Sequence, residues 1–178
     1  MGNFKEEIAL TQAIILDVDG VFTDGGITPL PDGDFLRTYC AKDGYAVSYA
    51  IKAGMKVFII TGGRGDVLKK RFEYLQVTEM HMNIADKLSV LEDIISRHGL
   101  DPKRLIFMGD DIPDLECMRA VGIPVCPADA ASEIIDASVY ISEFGGGKGC
   151  VRDILEQVLR AQNKWAKHLK GVNTIRSA

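Results

Sequence analysis

The chain has 178 residues, 47% of them hydrophobic and 26% charged, with a formal net charge of −4. That length suits one ordinary domain with a sizeable core, and the acidic balance gives no electrostatic footing for nucleic acid. No apolar run approaches a membrane span, the opening MGNFKEEIALTQ carries acids where a leader peptide would be basic and then apolar, and Cys40, Cys117, Cys126 and Cys150 form no close pair. These features predict a cytoplasmic protein with reduced thiols and with neither nucleic-acid nor membrane partners.

In chain order, the apolar run Ala13, Ile14, Ile15, Leu16 predicts a buried strand over 13–18 that ends in two carboxylates, Asp17 and Asp19. Residues 25–40 hold short β-like pieces around Pro31, Asp32 and Gly33, the pattern of a hairpin with its turn at the tip. A helix is expected over 43–53, stopped by Gly54, then a second buried strand over 55–60. A charged helix (64–75) and a short strand (77–82) follow. The amphipathic helix 86–98 places Leu88, Leu91, Ile94 and Ile95 on one face before Gly99. Further strands are expected over 104–109, 123–126 and 138–141, with helices over 113–120, 130–136 and 150–169. Phe72, Tyr74, Leu75, Val151, Ile154, Leu155, Val158 and Leu159 recur at helical spacing and read as core or interface.

Strands alternating with helices predict an α/β fold: a Rossmann-like, doubly wound parallel sheet with a small β-hairpin flap. The whole chain, 1–178, reads as one domain, with 170–178 a flexible tail. His81, His98 and His168 are scattered and read as surface or helix-end residues.

The chemistry gathers where strands end. Two adjacent anions repel unless a cation or shared proton relieves them, so Asp17 and Asp19 suggest a hard metal ion, most simply Mg²⁺. After the second strand, Thr61, Gly62, Gly63 and Arg64 offer a hydroxyl and close backbone N–H groups to a phosphate oxygen. Lys87 opens a helix as a compact charge. Asp110, Asp111 and Asp114 place three acids in five residues after a buried strand, where a helix cap needs only one. In a doubly wound sheet such strand ends converge on one crevice. The set suits phosphoryl transfer: Asp17 as nucleophile, Asp19 as acid and then base, Thr61 and Lys87 on the equatorial oxygens. Mg²⁺ would be held by Asp17, the backbone carbonyl of Asp19 and Asp110, with Asp111 reaching it through water and Asp114 orienting Lys87.

D-x-D-G-V-x-T-D-G, T-G-G-R, Asp86-Lys87 and G-D-D-x-x-D, in this order from 17 to 114, resemble the haloacid dehalogenase superfamily of phosphatases. The likeness implies the same roles for Asp17, Asp19, Thr61, Lys87 and Asp110, and Asp19 argues against dehalogenation, because dehalogenases lack this second acid. The segments between Asp19 and Thr61 and between Thr61 and Lys87 leave no room for a cap domain. The capless branch completes its open sites with neighbouring subunits, which implies a homotetramer. Lys42-Asp43-Gly44-Tyr45 and the glycines around Lys148 are similar to capless phosphatases of sugar acids in lipopolysaccharide synthesis, implying a small sugar-phosphate substrate. Gly63 and Arg64 favour an eight-carbon octulosonate 8-phosphate over nine-carbon nonulosonate or N-acylneuraminate 9-phosphates, whose enzymes carry Glu directly after Thr-Gly. Lys42 stands where the family often has Arg; Lys42 and Lys148 are candidate substrate contacts. The apolar hairpin (Ile27, Leu30, Phe35, Leu36, Tyr39) is a candidate subunit interface. A regulatory or assembly domain that keeps the fold without turnover is the alternative of a different class.

Overall fold

The computed structural model describes residues 4–167. A short helix, α1 (Phe4–Ala9), precedes the first strand, β1 (Ala13–Leu16). The hairpin of β2 (Thr28–Pro29) and β3 (Phe35–Leu36) leads to α2 (Ala41–Lys52) and β4 (Lys56–Ile60). Then come α3 (Asp66–Leu75), β5 (Glu79–His81), α4 (Lys87–His98), β6 (Leu105–Met108), α5 (Leu115–Ala120), β7 (Ile123–Cys126), α6 (Ser132–Ala137), β8 (Tyr140–Ile141) and α7 (Cys150–Ala161). Six strands form one parallel sheet in the order β5-β4-β1-β6-β7-β8. The expected α/β architecture is therefore present, and β1 lies centrally between β4 and β6.

The apolar runs are continuous because both faces of the sheet are covered, and the pleat sorts them. Ile14, Leu16, Val57, Ile59, Ile106 and Met108 face the core shared with α1, α2, α3 and α7. Ala13, Ile15, Phe58, Ile60, Leu105 and Phe107 face the opposite core, with α4, α5 and α6. The register aligns Leu16 with Ile59 and with Met108, so three central strands end level and release their loops at one edge. The stripe along α7 is buried as read, whereas Tyr74 on α3 is exposed.

Three expectations are corrected. Helix α1 has no counterpart in the sequence reading; its six residues are held by tertiary contacts, Ile8 in the core and Phe4 stacked on Tyr140 at 4.9 Å. The last helix ends at Ala161 rather than 169. Asn163 adopts a left-handed φ of 56°, and the chain turns so that Trp165 packs on Tyr49 and under Arg152. The hairpin strands shrink to two paired residues each, one reason being Pro29, which has no N–H to donate. Between Asp19 and Thr61 stand only this hairpin, α2 and β4, with no cap. The expected tail 170–178 and His168 lie outside the described residues.

Candidate active site

Asp17 continues β1 past its last paired residue: its N–H donates to the Met108 carbonyl at 3.0 Å. The chain then folds back, and the N–H groups of Val21, Phe22 and Thr23 converge on the Val18 carbonyl. Thr23 is fully buried, and its hydroxyl accepts from the N–H groups of Gly20 and Gly25. The threonine of the D-G-V-x-T-D-G run therefore shapes the loop rather than meeting phosphate. Gly20 has φ +87°, and a Cβ there would lie 1.9 Å from Asp110 Oδ2. Only glycine lets the two acidic loops approach this closely. The glycine-rich segment supports the loop from behind, the Gly147 N–H donating to the Val21 carbonyl at 2.9 Å; a Cβ on Gly146 would sit 2.0 Å from the Gly20 carbonyl oxygen.

Lys87, the first residue of α4, is 6% exposed and reaches across the crevice. Its Nζ donates to Asp114 Oδ1 at 2.7 Å and lies 3.0 Å from Asp17 Oδ1. The single ammonium is thus shared between two buried carboxylates, and Asp17 Oδ1 has no other partner among the described residues. Asp86 caps the helix through Ser89, which fixes where Lys87 starts. The three acids after β6 divide their work. Asp111 caps the following turn through the Ile112 N–H, Asp114 accepts from Lys87 and from the Asp110 N–H, and Asp110 extends toward Asp17. Thr61 is buried and its hydroxyl accepts from the Gly63 N–H at 3.0 Å, which leaves its own proton for a ligand. A cavity of about 530 Å³ is lined by Asp17, Asp19, Thr61, Gly62, Lys87 and Asp110, among others.

The electrostatics of this crevice call for a cation. Burial, then the Asp114 charge, raise Asp17 to about 7. Burial, then Asp17 and Asp114, raise Asp110 to about 7. Burial lowers Lys87, but Asp17 and Asp114 more than offset it and its pKa is raised. One ammonium thus faces three carboxylates, and an oxygen of each of Asp17, Asp110 and Asp114 lies within 4.8 Å of the others. Three clustered carboxylates that share one ammonium, an all-oxygen donor set with charge left unbalanced, fit a hard divalent ion.

Gly63 and Arg64 line an adjoining cavity of about 330 Å³ together with Asp19. Lys42 and Lys148 do not line either of these; they line a separate groove with Phe144 and Arg152, and Lys148 Nζ sits 3.4 Å from Asp24 Oδ2 on the surface. One residue escaped the sequence reading. Arg37, just past β3, is 8% exposed and grips the Asp19 carboxylate at two points, Nε to Oδ1 at 2.7 Å and Nη2 to Oδ2 at 3.0 Å. Its signal was the alternation Phe35, Arg37, Tyr39, which puts all three on the inward face of the hairpin segment while Leu36 and Thr38 are exposed.

A parallel sheet with a buried aspartate, a lysine, a threonine and an acidic cluster at the ends of its central strands defines a phosphomonoester hydrolase. A family model described as haloacid dehalogenase-like hydrolase matches residues 63–149. The chain is 33% identical over 151 residues to the 3-deoxy-D-manno-octulosonate 8-phosphate phosphatase KdsC of Escherichia coli K12, covering 85% of this chain and 80% of that one. The Yersinia pestis phosphatase of the same name has a crystal structure that superposes with a TM-score of 0.87 at 32% identity, over 90% of this chain and 86% of that one. The Moraxella catarrhalis phosphatase, solved with magnesium ion, phosphate ion and KDO, gives 0.86 at 27% identity, over 90% and 92%. The chain belongs to the haloacid dehalogenase-like hydrolases.

Proposed function

We propose that the chain is a Mg²⁺-dependent phosphatase that hydrolyses 3-deoxy-D-manno-octulosonate 8-phosphate to the free sugar acid and phosphate, a step of lipopolysaccharide biosynthesis. The observation that carries this is the crevice in which Asp17, Lys87 and Asp110 meet at the end of β1, with Asp19 on the same loop. The relatives that are at least 30% identical and the magnesium- and KDO-bound Moraxella structure support the choice of substrate and metal.

Asp17 attacks phosphorus in line, its carboxylate oxygen forming the new P–O bond as the bond to the sugar oxygen breaks. Asp19 gives its proton to that departing oxygen. A water then attacks the aspartyl-phosphate, Asp19 takes up the water's proton, and the Asp17 carboxylate leaves free. Thr61 Oγ1, the Gly62 backbone and Lys87 hold the equatorial oxygens, with Asp114 fixing Lys87. Asp17, the Asp19 carbonyl and Asp110 would hold the metal, with Asp111 behind a water. When bound, Mg²⁺ neutralises charge on the phosphoryl oxygens and on the clustered carboxylates.

The whole chain serves as one catalytic domain, cytoplasmic, and assembles as a homotetramer. Ile27 and Leu36 on the hairpin are half exposed, which suits a subunit contact. Lys42 and Lys148 line a groove apart from the phosphate crevice, so a substrate contact by them would require a neighbouring subunit's site to meet that groove. Gly63 opens the adjoining cavity and Arg64 offers it a guanidinium, which suits an eight-carbon acid. Side-by-side phosphate release from octulosonate 8-phosphate and nonulosonate 9-phosphate, with Mg²⁺ or chelator, tests this. Preference for the nine-carbon acid would refute the specificity argument, and no release from either would refute the assignment.

A further inference from the structure

We propose that Arg37 is a positioning residue for the acid/base Asp19: its two-point clamp aims the carboxyl at the departing oxygen, so Arg37 governs turnover of esters whose leaving group needs a proton. This assignment rests on the reading of Asp19 as the acid/base of the proposed phosphatase.

Four observations carry it. First, the guanidinium takes both Asp19 oxygens in a fork, at 2.7 and 3.0 Å, and Asp19 has no other side-chain hydrogen bond among the described residues. A carboxylate on a loop has a free χ torsion; a bidentate arginine removes it, where a lysine would supply only one point of contact. Second, folding alone is a poor reason for this arginine. Its side chain is 3% exposed, yet Nη1 is buried without a partner, a cost that a residue kept only for stability would not carry. Third, the clamp is anchored to the phosphate-binding turn. Asp34, on the same hairpin, accepts from the Val67 N–H at the start of α3, and the guanidinium carbons of Arg37 and Arg64 lie 5.8 and 5.9 Å from the centre of the Phe35 ring. The hairpin therefore ties the acid to the segment that follows Thr61. Fourth, Arg37 and Asp19 share the wall of the 330 Å³ cavity that adjoins the phosphate crevice, which leaves room beside the acid for a leaving group.

The consequence is selective. An alkoxide leaving group needs its proton, whereas p-nitrophenolate departs without one. With the Mg²⁺-loaded full chain, kcat/KM, which reports the steps through departure of the leaving group and not the later hydrolysis common to both esters, is measured on octulosonate 8-phosphate and on p-nitrophenyl phosphate for the parent, Arg37→Ala, Arg37→Lys and Asp19→Asn. Arg37→Ala is expected to lower the sugar-phosphate kcat/KM by about 100-fold, in line with a lost general acid, and the p-nitrophenyl value by far less. The ratio of the two rates then shifts at least ~10-fold, and Arg37→Lys restores part of it. That ratio does not depend on the fraction of folded enzyme, so partial misfolding cannot mimic the effect. Equal loss on both esters, or no loss, in Arg37→Ala while Asp19→Asn shows the shift would overturn the role of Arg37 alone. Absence of the shift in Asp19→Asn would overturn the acid/base reading and with it the role of Arg37.

Discussion

Replacing Asp110 by Asn should stabilise the metal-free protein while abolishing catalysis. Asp110 is half-buried beside Asp17 and Asp114, and its side chain has no hydrogen-bond donor among the described residues. Burial and those neighbouring charges lift its pKa from 3.8 to about 7. A carboxyl raised in the fold binds its proton more tightly there than in the unfolded chain. Its favourable contribution is complete below pH 3.8 and is lost as pH rises to about 7. At ~1.4 kcal/mol per pKa unit this amounts to roughly 4 kcal/mol, which solvent screening at a half-buried position reduces to about 2. Asparagine has no charge to desolvate, so thermal melts in chelator at pH 8 should rise by roughly 4–8 °C for a chain of this size. The gain should vanish near pH 4. Adding Mg²⁺ should reverse the order, because the parent gains about 2.7 kcal/mol at one hundred times its Kd and the variant gains far less. A lower melting temperature for Asp110→Asn in chelator at pH 8, or an equal rise at pH 4, would show that the acidic cluster is not held under repulsion.

Further outcomes follow from single contacts. Lys87→Met leaves Asp17 and Asp114 as buried acids without their cation; a loss of about 3–5 kcal/mol in urea titrations is expected, together with loss of turnover. Asp43 is fully buried and its Oδ1 accepts from the Arg152 N–H in the first turn of α7, so Asp43→Ala should cost about 1–2 kcal/mol in the same assay. Glu79 pairs with Arg97, His98 and His81, and these bonds hold its pKa well below the usual carboxylate value. Stability from a depressed carboxyl is present above its unfolded pKa of 4.5 and is lost on acidification below it. Glu79→Gln should therefore melt slightly lower at pH 7, by no more than about 1 kcal/mol, with the difference shrinking in high salt and toward pH 3.

The parts of this molecule that were legible in the sequence are those whose residue types have no competing explanation. Runs such as Ala13 to Leu16 and Val57 to Ile60 are apolar on both faces of a strand, which only a sheet covered by helices on both sides requires. Three acids in five residues exceed what a turn needs, and Asp110 and Asp114 indeed fall beside Asp17, with Asp111 left to cap the turn. Arg37 was hidden because an arginine in a short hairpin ordinarily snorkels to solvent; its burial depends on Asp19, far away in the chain. Helix α1 was hidden because six residues have little helical tendency of their own, and the contacts of Phe4 and Ile8 that hold it are long-range. The end of α7 was misplaced for a related reason: Lys164, Trp165 and Ala166 are ordinary helix residues, but Trp165 gains more by turning back onto Tyr49. The groove holding Lys42 and Lys148 depends on how α7 starts against α2, a packing relation that local spacing does not encode.

The central claim is that the phosphoryl group passes through Asp17. Asp19→Asn slows hydrolysis of an aspartyl-phosphate, whereas p-nitrophenolate leaves without needing its proton, so mixing that variant with Mg²⁺ and p-nitrophenyl phosphate, followed by rapid borohydride quench, should reduce the acyl phosphate and leave homoserine at position 17 in the peptide mass spectrum. Homoserine at Asp110 or Asp114 instead, or an unmodified Asp17 during measurable phosphate release, would contradict the account.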